Sequence, residues 1–152
     1  VPSKKFKQGY YTPKHPDKYV GDLTKIIYRS SWEYKMNEFL DNNPNVLRWG
    51  SEPFGIPYIH PFKKDKNGKP KIARYFPDYW IQYKNKQGEV VEEIIEIKPK
   101  KQTKQSRARN PQSKLYEDLT FAVNIQKWKY AQEFCDKKNI KFRILTELSI
   151  FR

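Results

Sequence analysis

At 152 residues and a net charge of +14, the chain is long enough for one domain with its own core, and basic enough that a polyanion is its expected neighbour. Nucleic acid is therefore the first partner class and a membrane is not expected, since no apolar run nears the roughly 20 residues of a span and VPSKKFKQGYY lacks a signal-peptide core. Cys135 stands alone, which excludes an intramolecular disulfide and a Cys-based zinc site and predicts a soluble protein made in a reducing cytoplasm.

Residues 1–20 mix Lys, Tyr and Pro without helical or strand periodicity and read as an extended basic arm, lying on the domain or on a partner, with His15 a loop histidine. Residues 21–152 then form a single domain. IIYRSSWEYKMNEFLDNNPNV predicts a helix capped by Ser30 or Ser31, with Trp32, Met36, Phe39 and Leu40 on one stripe and DNNPN as its stop. VLRWGSEPFGIPYIHPF, broken by Gly and Pro, predicts two short strands or one bent strand. KKDKNGKPK is a turn around Asn67-Gly68, and IARYFPDYWIQY is a strand interrupted at Pro77. KNKQGE turns the chain into VVEEIIEIK, the most strand-like run present. From Lys98 to Lys114 seven Lys or Arg residues occur with no acid, and the segment reads as a basic loop. A second helix is expected over Phe121–Lys138, with Trp128, Ala131 and Cys135 on one stripe, Phe134 beside it and Asn139 as C-terminal cap. IKFRILT closes the chain as a strand with Ile140, Phe142 and Ile144 inward. The order, a helix, several strands, then helix and strand, is that of a mixed α/β domain.

The turn KNKQGE carries the chemistry. If its loop is the three-residue Lys86-Gln87-Gly88, with Gly88 supplying the left-handed residue, Asn85 faces Glu89 and, counting back, Asp78 faces Glu96 across strands about 4.8 Å apart. A two-residue loop would shift that register by one. Two carboxylates held so close repel, and one takes up a proton unless a cation sits between them. Mg²⁺ or Mn²⁺ suits such an oxygen site, with the Ile97 carbonyl as a further donor. Lys98 lies two residues beyond Glu96 on the same face, placed to stabilise phosphate charge or orient a water. The same Glu96–Lys98 spacing on a surface strand would be a plain ion pair.

An aspartate followed by Glu-x-Lys on a strand, here FPDYW and IIEIKPK, is the pattern of the PD-(D/E)xK nuclease superfamily. YVGD, IIYRSSWEYKMNEFLDNNPNVLRWGSEPFGIPY, YFPDYW, IEIKPKKQT and IQKWKYAQEFCDKKNIKFRILTE together resemble the head completion nucleases of T4-like tailed phages, over roughly residues 10 to 148. The layout is also similar to the catalytic domain of the Tn7-type transposition endonuclease subunit. The resemblance implies a restriction-endonuclease-like mixed sheet flanked by helices and Mg-dependent cleavage of double-stranded DNA. It further implies a setting among the portal and neck proteins of the virion. It carries catalytic roles onto Glu33, Asp78, Glu96 and Lys98, and metal binding onto Asp78, Glu96, the Ile97 carbonyl and Glu33. Glu33 also ends Ser30-x-x-Glu33, a capping box, so a structural reading stands beside the catalytic one, and Glu52 is the runner-up for that position.

Lys100, Lys101, Lys104, Arg107 and Arg109 follow the catalytic strand directly and are expected to bind DNA phosphates, with Lys127 a further candidate and Trp128 read as core. Two other readings accompany the endonuclease: a non-catalytic neck or portal protein on a nuclease-like fold, and a transposon-type DNA-end nuclease subunit. The intact Asp/Glu-x-Lys set favours chemistry, because a binding module has no use for paired acids in a basic cleft.

Overall fold

A computed structural model describes residues 8–146 of the chain; residues 1–7, the start of the N-terminal arm, lie outside the described residues. The chain runs β1 (Gly9–Tyr10), β2 (Ile27–Tyr28), α1 (Ser31–Asn42), β3 (Val46–Ser51), β4 (Ile56–Lys64), β5 (Pro70–Tyr75), β6 (Tyr79–Lys84), β7 (Val90–Ile97), α2 (Pro111–Lys138) and β8 (Lys141–Leu145). A four-stranded sheet of order β3-β6-β7-β8 forms the centre, and two-stranded pairs β1-β2 and β4-β5 stand beside it. Neighbouring strands are antiparallel except β7 and β8, which run parallel and are joined through α2. The result is a mixed sheet flanked by helices, as the sequence implies.

β7 is an inner strand whose second half, Glu93–Ile97, is buried on both faces, with its isoleucines packing to either side and Glu93 and Glu96 buried among them. Ile95 and Ile97 pack with Trp49, Tyr79, Met36 and Leu40 on the α1 side, whereas Ile94 packs with Trp128, Ala131 and Cys135 on the α2 side. Trp128 is therefore core, and Phe142 and Ile144 of β8 pack on the same cluster.

The β6–β7 turn has the three-residue form. Gly88 sits at φ +79°, the Asn85 N–H donates to the Glu89 carbonyl at 2.9 Å, and Tyr79 stands opposite Ile95. Pro77, fully buried, separates β5 from β6 so completely that the two belong to different sheets. The Asn67-Gly68 turn is tighter than KKDKNGKPK suggests. β4 continues through Lys63 and Lys64, and β5 already begins at Pro70.

Two expectations need correction. The segment to Lys114 is not all loop: a short 3₁₀ turn covers Lys100–Thr103, and α2 begins at Pro111, ten residues before Phe121. Pro111 is a starter here, at the first helical position, behind an Asn110 side chain that accepts from the Gln112 and Ser113 N–H groups. The first turns of α2 are largely exposed, so they carry no apolar periodicity to read. Phe39 is 58% exposed, and the buried face of α1 carries Met36, Asn37, Leu40 and Asp41 instead. The stripe is rotated toward the two polar residues because both find hydrogen bonds inside.

Asn37 accepts from the Tyr79 hydroxyl at 2.6 Å. Asp41 accepts from the Tyr11 hydroxyl and from the Lys14 and His15 N–H groups at 2.9, 2.7 and 3.0 Å. Lys18 adds bonds from its Nζ to the Asp41 and Asn43 carbonyls at the end of α1. Within residues 8–20 the arm is thereby tied to the domain, with Tyr11 buried and Tyr19 packed edge-on against Trp49.

Burial alone would raise the Asp41 carboxyl, but the three donated hydrogen bonds outweigh it and hold the group below the usual carboxylate range. Removing the acceptor strands three donors, so Asp41→Ala should cost about 3 kcal/mol or more in urea unfolding. A depressed carboxylate contributes stability that is fully present above its unfolded pKa of about 3.9. The contribution is lost as pH falls through the lower folded value, so the gap between wild type and variant should narrow only below about pH 4.

Candidate active site

The junction at Pro77 and the end of β7 bring the site together. Asp78 immediately precedes β6, and by the β6–β7 register it lies directly across from Glu96. Its Oδ2 accepts from the Ile97 N–H at 2.7 Å, which clamps the carboxylate to the β7 backbone. Glu96 is 5% exposed and faces the α2 side. Its Oε1 lies 3.5 Å from Lys98 Nζ, and its Oε2 accepts from the Tyr75 hydroxyl at 2.5 Å. Lys98 itself is held by a hydrogen bond from its N–H to the Leu145 carbonyl of β8 at 2.9 Å.

Lys127 reaches this corner from α2. Its Nζ sits 5.9 Å from the ring centres of both Tyr58 and Tyr75, and burial lowers its pKa, with the neighbouring Lys98 charge acting in the same direction. It faces the carboxylate site rather than open solvent. Tyr75 was not legible as a site residue; a tyrosine three residues ahead of the aspartate would be the only hint, and the hydrogen bond to Glu96 exists only because β5 folds back along β4.

The two carboxylates resist ionising together. Burial raises Asp78 to about 8, with the Glu96 charge next in size, and the Ile97 N–H and Lys98 only partly offset it. Glu96 is also raised, by burial, against the lowering effects of the Tyr75 hydroxyl and Lys98. A pair of hard oxygen donors with too little positive charge around it is the donor chemistry that a divalent cation fits.

Glu33 lies at the edge of this arrangement. Its N–H donates to Oγ of the N-cap Ser30 at 3.1 Å, and its Oε2 reaches back one residue further than a capping box requires, accepting from the Arg29 N–H at 2.9 Å. Its charge still contributes to raising Asp78, and with Asp78, Ile97 and Pro99 it lines a cleft of about 470 Å³. Glu52 lines the same cleft, paired to Arg29 at 2.5 Å, in a left-handed backbone conformation at φ +45°. The Glu52 N–H donates to the Asp78 carbonyl, so its strained backbone helps set the start of β6. Among the described residues no three His, Cys, Asp or Glu side chains are close enough to hold a metal between them, so Glu33 does not join Asp78 and Glu96 in a ready-made cage.

The predicted DNA-binding cations are distributed differently. Lys100, Lys101, Lys104 and Arg107 are exposed and line a larger cleft of about 1110 Å³ against the first half of α2, with Arg109 exposed just before the helix cap. The loop is shaped from within by the Ser106 hydroxyl, which donates to Glu117 and accepts from the Ala108 N–H. No described helix is long and apolar enough to cross a membrane.

Comparison with known proteins adds two findings. Residues 43–147 match the family model described as TnsA-like endonuclease N terminal. The chain is 44% identical over 145 residues to the head completion nuclease of Enterobacteria phage T4, covering 91% of this chain and 90% of that protein. The span matched by the family model contains Asp78, Glu96, Lys98 and Lys127, while Glu33 precedes it.

The raised Asp78 gives a stability test without metal. A carboxyl whose folded pKa lies above its unfolded value favours the fold fully below the unfolded pKa and loses that contribution as pH rises through the folded one. Asp78→Asn keeps an acceptor for the Ile97 N–H and cannot ionise. Its stability relative to metal-free wild type should therefore increase from about pH 4 to about pH 8 and level off above, as read by thermal melting.

Proposed function

The chain belongs to the head completion nuclease family and carries a TnsA-like endonuclease domain, and on that premise we propose that it is a divalent-metal-dependent endonuclease of double-stranded DNA. Its proposed setting is the portal and neck of a phage capsid, in the virion, as that capsid is completed. The observation that supports this reading most is the opposition of Asp78 and Glu96 at the end of β7, with Lys98 3.5 Å from Glu96.

Asp78, Glu96 and the Ile97 carbonyl are the proposed ligands of Mg²⁺ or Mn²⁺, with Glu33 lining the cleft that Asp78 and Ile97 face. Such an ion supplies water activation at neutral pH and neutralises phosphate charge. Lys98 holds a positive charge where negative charge develops on the phosphate. Tyr75 is a positioning residue: its hydroxyl holds Oε2 of Glu96 and so fixes which way the carboxylate presents its other oxygen. Lys127, held over the Tyr58 and Tyr75 rings, adds a second cation behind Lys98. Lys100, Lys101, Lys104, Arg107 and Arg109 bind backbone phosphates leading away from the site.

Cleavage of linear and circular duplex DNA should require Mg²⁺ and stop on chelation. Asp78→Asn and Glu96→Gln should each abolish it with the fold intact, and Lys98→Ala should slow it on the order of 10²–10³-fold. Equal activity in wild type and all three variants would refute the assignment. Tyr75→Phe removes only the hydroxyl at Glu96, so the Mg²⁺ concentration for half-maximal rate should rise about 10–100-fold, with the rate recovered at excess Mg²⁺. A packing defect alone would lower the melting temperature and leave that midpoint in place.

A further inference from the structure

The β4–β5 pair has no part in the catalytic site beyond its foot, yet it carries an unusual share of charge. Every residue from 61 to 72 is exposed, so this stretch is a ribbon with both faces in solvent. Only the base is anchored, by Ile56, Tyr58 and Tyr75 in the core against α2. Ile59 opposes Ile72 and Lys64 opposes Pro70, so residues 60–63 bulge out of the ladder and the ribbon projects about 10 Å from Ile59 to the turn at Asp65. Five lysines lie within residues 61–72, Lys63, Lys64, Lys66, Lys69 and Lys71, with Arg74 just below and Asp65 as the only acid.

That acid is occupied in shaping the tip: its Oδ1 accepts from the Asn67 and Lys69 N–H groups at 2.8 and 3.0 Å. Nearer the base, His60 Nδ1 accepts from the Phe62 and Lys63 N–H groups at the register shift between Ile59 and Lys64. The outer face pairs Ile59 with Ile72, both exposed, beside an exposed Phe62. An isolated two-stranded hairpin is marginal in water and gains nothing from concentrating like charges. A partner with dense negative charge supplies the missing term.

We propose that the β4–β5 ribbon is a second DNA-binding element, an arm that lies along duplex DNA and delivers it to Asp78 and Glu96. The proposal rests on the nuclease reading above and adds a footprint separate from the Lys100–Arg109 loop. Charge complementarity selects the occupant, and a two-stranded ribbon is an element the major groove, about 12 Å wide, admits. Lysines on both strands meet phosphates on either side, and the Ile59–Ile72 pair faces base edges or thymine methyls. The base of the ribbon is the element that carries Tyr75, whose hydroxyl bonds Glu96, so DNA held by the arm is brought to the carboxylates.

The test is the salt dependence of duplex binding by the full chain in chelator, where no cleavage occurs. One variant neutralises the tip (Lys64→Gln, Lys66→Gln, Lys69→Gln). A control makes the same charge change far from the site, with Lys84→Gln and Lys86→Gln near the β6–β7 turn and Lys129→Gln on α2. Each phosphate contact contributes about 0.9 to the slope of log K against log salt, so the tip variant should flatten it by roughly 2–3 and the control should not. Lys64→Arg, Lys66→Arg and Lys69→Arg together should keep the wild-type slope. A steep wild-type slope that the tip variant retains overturns the arm and leaves the nuclease reading standing. A flat wild-type slope overturns both.

Discussion

The structure depends on the register of one hairpin. Gly88 can hold the left-handed conformation that closes a three-residue loop, and this choice sets every pair along β6 and β7 until Asp78 meets Glu96. A shift of one residue would send the two carboxylates to opposite faces. Once they are opposed, with Glu96 buried and Asp78 half-buried, their repulsion dictates the surroundings. The Ile97 N–H, the Tyr75 hydroxyl, Lys98 and Lys127 each bring a donor or a positive charge to that corner, and the charge they leave uncompensated is of the kind a divalent cation would match.

Pro77 gives this arrangement its second consequence. Without an N–H it cannot continue a ladder, and the chain there leaves one sheet and enters another. β5 is thereby released from the central sheet and pairs with β4, which carries Tyr75 over Glu96 and projects a lysine-rich ribbon beyond the domain. The same break places Asp78 outside the strand, where its carboxylate turns to the end of β7 rather than lying flat in the pleat.

The opposite face of the sheet shows a different use of polar groups. Asn37 and Asp41 are buried in α1, and each is matched by donors from distant parts of the chain. Asp41 gathers Tyr11, Lys14 and His15, so the N-terminal segment is fastened to the helix whose first turn carries Glu33. Asn37 receives the hydroxyl of Tyr79, the residue that follows Asp78. The N-terminal segment, α1 and the start of β6 are thus held by one set of buried hydrogen bonds, and breaking it would disturb the approach to the active site as well as the core.

What the sequence made legible by itself was local and periodic: a cap at Ser30 or Ser31, a Gly88 turn whose three-residue form sets the register, β7 and β8, and a cap at Asn139, with the structure choosing Ser30 and the three-residue loop. The Asp78–Glu96–Lys98 grouping followed from these, because in an antiparallel hairpin a turn type plus a count locates opposed side chains. The tertiary structure decided what depends on long-range partners. The buried face of α1 turned toward Asn37 and Asp41 because donors from residues 11–15 and from Tyr79 reach them, which no helical period encodes. α2 started at Pro111 because its first turns lie exposed, where there is no apolar stripe to read. Tyr75 and Lys127 joined the site only when β5 folded over β7 and α2 crossed behind it, contacts between residues far apart in the chain that neither spacing nor propensity records.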